Sequence, residues 1–147
     1  MKIYIKEFKP SAGLIFLRLF IGFRVIYGVT DNILSWKKML EFSVFLQEFK
    51  FPFPLWCAII SVYLQFFSAW LIILGTKFRF GSAILSFNFL VAIIFVHLPL
   101  KDSIEAMTPA LAILVCSATL FLTGPGKFAL KPGKFTRGLA NLELKDY

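Results

Sequence analysis

Arg24 stands in the middle of an apolar run, Ala12 to Thr30, long enough to cross a bilayer. A guanidinium facing lipid there costs roughly 2.5 kcal/mol or more, so it is expected to face an interior and to meet a partner or a ligand. At about 1.5 Å of rise per residue, Gln65 and Asn88 fall near the same midplane depth in two later apolar runs. On the first run Arg24, Tyr27, Gly28 and Asp31 share an arc of about 100°. His97, the only histidine, lies at roughly the depth of Asp31, and histidine is the side chain whose ordinary titration falls near neutrality.

Two kinds of chemistry suit this set. In one, Arg24 bonds Gln65, Asn88 and free carbonyls and fixes the register between helices. In the other, Arg24, with Tyr27 and Asp31 above it, lines a pocket for the carbonyl or phosphate of an amphiphile, because a guanidinium donates several bonds in one plane. His97 reads either as an interfacial anchor or as a proton-handling partner of Asp31 or Tyr27. Arg18, closer to the membrane surface, is expected to snorkel. A metal site would need further ligands at the depth of His97, and only Asp31 is offered, so none is expected. Cys57 and Cys116 sit at different depths and read as small core residues.

The elements that must position these groups are four apolar runs, 12–30, 54–75, 80–99 and 107–123. The second and third contain no Lys, Arg, Asp or Glu, which a soluble surface helix could not manage. With 59% hydrophobic residues and a mean hydropathy of +0.79, the chain reads as a single all-α, integral membrane four-helix bundle. Polar and small residues on the second run (Ser61, Gln65, Ser68, Gly75) and small ones on the fourth (Ala112, Cys116, Thr119, Thr123) form faces that can turn inward.

The net charge of +8 follows the membrane and does not point to nucleic acid. Ten basic residues precede the first run, occupy the second loop or follow the fourth run, against four on the opposite side. By the positive-inside rule both termini are cytoplasmic, and residues 127–147 form a basic cytoplasmic tail able to touch anionic lipid. Lysines before the first run could mark a signal peptide, but Arg18 and Arg24 interrupt it and no small-residue cleavage site follows, so it reads as a retained span. The first outward loop carries Ile33, Trp36, Leu40, Phe42, Phe45, Leu46 and Phe49 at helical spacing. This predicts a short interfacial helix, or one folded over the bundle mouth. Phe51-Pro52-Phe53-Pro54 predicts an extended turn, with Pro54 and Pro109 each opening a helix. Gly124, Gly126 and Ala129 match a dinucleotide fingerprint in spacing but follow no strand, so that motif is set aside.

Arg18-Leu19, Gly22, Tyr27-Gly28, Asp31-Asn32 and Phe51-Pro52-Phe53-Pro54 resemble the DoxX family of small bacterial membrane proteins. Gln65, Leu74-Gly75 with Arg79, Asn88 with Ala92 and His97, and Gly124-Pro125-Gly126-Lys127 extend the resemblance along the chain. It implies four transmembrane helices in a bacterial inner membrane. Many members carry His-Gly-x-x-Lys where this chain has Tyr27-Gly28-Val29-Thr30-Asp31, so roles of that His and Lys do not transfer. The family name derives from a subunit of a thiosulfate:quinone oxidoreductase; other members look like anchors in redox-stress complexes, and distant relatives like assembly chaperones. The resulting expectation is an accessory subunit without an intrinsic cofactor, not an enzyme on its own, binding a quinone or lipid and working with a membrane or periplasmic protein. If it is part of an enzyme, that enzyme is a quinone-linked oxidoreductase. The alternatives are a scaffold or assembly factor and, last, a small transporter, for which an embedded carboxylate is wanting. Four short helices leave little interior, which is compatible with self-association.

A fluorescent reporter that matures only in the cytoplasm is expected to glow when fused after Tyr147 and to stay dark when inserted between Lys101 and Glu105. The reverse pattern would overturn the assigned orientation.

Overall fold

The computed structural model describes residues 10–124, with side chains from Gly13 onward. The predicted basic tail, 127–147, the lysines before Pro10 and most of Gly124-Pro125-Gly126-Lys127 lie outside the described residues. Helices α1 (Pro10–Leu34), α2 (Trp36–Glu48), α3 (Pro54–Leu74), α4 (Phe78–Ala92), α5 (Leu98–Leu100) and α6 (Ile104–Thr123) follow in order, with a π-helical turn, Ile93–His97, joining α4 to α5. Among the described residues four segments are long and apolar enough to span a membrane: Gly13–Leu34, Pro54–Leu74, Phe78–Leu100 and Ile104–Thr123.

The spans pack in the cyclic order α1, α3, α4, α6, and the α1–α6 seam is the sparsest side. Two glycines set the close sides. A Cβ on Gly22 would run into the Ile73 side chain, and one on Gly81 would lie 2.9 Å from Leu71 Cβ and 3.1 Å from the Ser68 carbonyl. Helix backbones in lipid gain most of their attraction from such close approach. Ile21, Val25, Ala69, Ile72, Leu85 and Leu120 fill the centre. Phe16, Phe20 and Phe23 form an exposed row on the outer face of α1.

Arg18 does not snorkel. It is 3% exposed, and its Nε donates to the Ile72 carbonyl at 2.9 Å while Nη2 donates to the Ile73 carbonyl at 2.8 Å. The guanidinium also lies 5.3 Å from the centre of the Phe78 ring. These carbonyls belong to the last turn of α3, where no further helical N–H exists to satisfy them and the helix dipole is negative. Gly75, left-handed at φ 76°, supplies one closing bond, to Leu71, and Arg18 supplies two more. Position 18 shares a helix face with Gly22, Val25 and Val29 at steps of four, seven and eleven, and that face is the buried one.

The remaining differences are local. Helix α1 runs four residues past Thr30 before Ser35 breaks it. Helix α2 is the predicted extra helix, but it packs into the α1–α3 groove through Met39 and Leu46, against Val29, Ala58 and Val62. Its Lys38–Glu41 pair, at 2.7 Å, holds the Glu41 carboxyl below the usual carboxylate range through the Lys38 hydrogen bond. That support is present above the usual range and fades as pH falls through the lowered value. Phe53 is left-handed, φ 49°, not extended, although Pro54 does open α3. Pro109 lies inside α6, which starts earlier because the Ser103 side chain accepts the Ala106 N–H and caps it.

Replacing Arg18 with Met is expected to cost about 3 kcal/mol, two charge-assisted hydrogen bonds' worth. It should lower the melting temperature in detergent by several degrees, with Arg18→Lys restoring only part, since an ammonium cannot reproduce the planar fork. An unchanged melting temperature would remove Arg18 from this role.

Candidate functional site

A cavity of about 290 Å³ lies where the four spans converge. Arg24, Val25 and Gly28 of α1 contribute to it, with Gln65 of α3, Phe89 of α4, His97 of the π turn, and Ala106, Pro109, Ala110 and Ile113 of α6. Val25, Ala110 and Ile113 are buried, Gln65 and Phe89 half-buried, and Arg24, Gly28, Ala106 and Pro109 exposed. The exposed members belong to α1 and α6, so the cavity opens sideways along their sparse seam. Pro109, having no N–H, leaves the Glu105 carbonyl without its helical donor beside this opening.

Arg24 makes no hydrogen bond or ion pair to another described residue, which excludes the bridging role with Gln65 and Asn88. Its Nη1 folds back over Gly28, where a Cβ would approach it to 3.2 Å. The absence of a side chain at position 28 thus makes room for the guanidinium. Gln65 and Asn88 are joined through a third residue: Gln65 Nε2 donates to Ser61 Oγ at 3.1 Å, and Asn88 Nδ2 donates to the same oxygen at 3.0 Å. Gln65 reaches the cavity, whereas Asn88 stands behind it as a support.

Tyr27 and Asp31 do not join the site. Tyr27 is 80% exposed; it lies about 60° round the helix from Arg24, on the side of Phe20 and Phe23, while Gly28 and Val25 turn the other way. Asp31 sits two turns nearer the helix end and is exposed. His97 pairs with neither of them. Its Nδ1 lies 2.7 Å from Asp102 Oδ2, with both side chains about a quarter exposed.

Local backbone geometry makes that pair. The π turn bonds the Leu98 N–H to the Ile93 carbonyl, and the chain then closes in a Schellman turn: Asp102 N to His97 O at 3.2 Å and Lys101 N to Leu98 O at 3.1 Å. Lys101 takes the left-handed position at φ 53°. Asp102 is therefore tied to His97 by main chain and side chain together. Sequence reasoning missed it because positions 97 and 102 lie five apart, a separation that α-helical periodicity does not bring together. The cysteines stay apart and free, with Cys57 Sγ donating to the Pro52 carbonyl at 3.0 Å.

The fold and its cleft define a multi-pass membrane protein whose polar interior is offered sideways between its first and last spans. The sequence model of the DoxX family matches residues 13–98, more than half of the chain, and the protein belongs to that family. The match covers α1 to His97, while Asp102 and α6, which complete the site, lie beyond it. No curated protein and no solved structure matches the chain.

Replacing Ser61 with Ala should cut both bonds that hold Gln65 and Asn88. It is expected to lower thermal stability by about 1–2 kcal/mol, more than Asn88→Ala, which removes only one partner. Equal effects would mean that the two amides are held independently.

Proposed function

We propose that the chain is a quinone- or lipid-binding accessory subunit of a redox-linked complex in the bacterial inner membrane. The observation that carries this reading is the Arg24 guanidinium, without a partner among the described residues, in a cleft open towards the lipid phase between α1 and α6. An intramembrane cation is kept only where something offsets its cost, and a carbonyl or phosphate oxygen does so. The lateral opening suits a ligand whose head reaches Arg24, Gln65 and His97 while its tail stays among the acyl chains. The chain contributes binding and orientation. A bound quinone supplies the electron-accepting chemistry, and the electrons come from a partner protein.

A second reading, a scaffold for a partner protein, rests on α2, whose Trp36, Leu40, Val44 and Phe45 remain exposed after Met39 and Leu46 are buried.

The test is extraction of the detergent-purified protein and mass-spectrometric counting of quinones and lipids per chain, with Arg24→Ala alongside. About one ligand per chain is expected, reduced at least tenfold in the variant by loss of a charge-assisted hydrogen bond worth about 1.5–3 kcal/mol. Equal ligand in both samples would overturn the role of Arg24, and none in either would favour the scaffold.

A further inference from the structure

We infer that the Asp102–His97 pair sets which redox form of a quinone the cleft holds, favouring the hydroquinone when the imidazole is neutral and the quinone when it is protonated. The inference rests on the quinone reading above and adds a selecting element to it. Asp102 Oδ2 can only accept, so the contact at 2.7 Å places a proton on Nδ1 of the neutral ring. The cavity-lining His97 is then left with Nε2 as its free ring atom, carrying a lone pair. A lone pair accepts the O–H of a hydroquinone and meets the carbonyl oxygen of a quinone as a second acceptor. Protonation reverses this, because Nε2–H donates to a carbonyl and the imidazolium remains paired with the carboxylate.

Other charges near the ring do not make the choice. Arg24 donates to an oxygen of either form, and Gln65 is neutral. Lys101, in the turn, and Glu105, in the first turn of α6, are exposed and have no hydrogen bond from either side chain to the pair. Ser61 and Asn88 bond each other behind Gln65. Binding moves no electrons; it changes only which partner of the couple is bound, and so the potential at which a bound quinone exchanges electrons. Asp102 acts through His97 and is a positioning residue.

The experiment uses the full chain in lipid nanodiscs. Because His97 is the only histidine, ¹⁵N-histidine labelling gives one imidazole, whose two nitrogen shifts report tautomer and charge. In the neutral ring the Nδ1–H tautomer is expected, lost in Asp102→Ala and kept in Asp102→Asn, which retains an acceptor. Anaerobic titration with a short-chain benzoquinone and with its hydroquinone should show about tenfold preference for the hydroquinone where the nitrogen shifts report a neutral ring, and for the quinone where they report the imidazolium. The preference of the neutral ring for the hydroquinone should disappear in Asp102→Ala, because nothing then keeps the proton on Nδ1. An Nε2–H tautomer of the neutral ring, or equal affinities for the two forms in both charge states of the ring, would overturn the inference and leave the quinone reading standing. Failure of both forms to bind would remove the quinone reading and the inference together.

Discussion

A helix that ends inside or near a membrane exposes carbonyls that water cannot reach freely, and the end of α3 meets this constraint with a side chain from another span. Arg18 bonds the Ile72 and Ile73 carbonyls and covers the Phe78 ring, so one residue of α1 fixes the level at which α3 stops and α4 begins. Gly22, one turn further along α1, and Gly81, one turn into α4, can be glycine-tight only if that level holds. Hydrogen bonding at the end of α3 and close approach along its sides are thus one arrangement. The charge lies at the negative end of the α3 dipole, which favours it.

The two arginines of α1 consequently divide the work. Arg18 stands on the face that carries Ile21, Val25 and Val29 and is used up in holding helices together. Arg24, six residues later, lies about 120° away round the helix, at the edge of that face, and retains its donors. A bundle with a single arginine would have to use it for one purpose or the other.

Four spans, an added helix after the first and the polar character of the third loop were legible because bilayer thickness and helical periodicity leave long, unmistakable marks. Depth alone puts Arg24 and Gln65 at one level and His97 nearer the outer end with Asp31; that all three line one cavity needs the packing of the helices as well. The roles of the arginines were not legible, since depth was used where angle decided: Arg18 shares its face with Gly22 and Val25, a signal present in the sequence and outweighed by proximity to the surface. Tyr27 was drawn into the site by an arc too generous to separate the lipid row of Phe16, Phe20 and Phe23 from the cleft. Asp102 had no signal of its own, because the π turn and the left-handed Lys101 that bring it to His97 break the regular period on which sequence reading depends.

The cleft lies between the first span and the last, so no connecting loop crosses it. The other three sides of the bundle are each bridged by a loop of a few residues, or by α2, which limits how far those neighbours can separate. Across the α1–α6 seam, among the described residues, the limit is set by side-chain contact and by whatever fills the cleft. Widening it requires no backbone rearrangement in any connection, whereas closing it leaves the covalent chain equally unstrained. The order in which the chain threads the bundle thus gives this one side the freedom of a slit in an otherwise stitched cylinder.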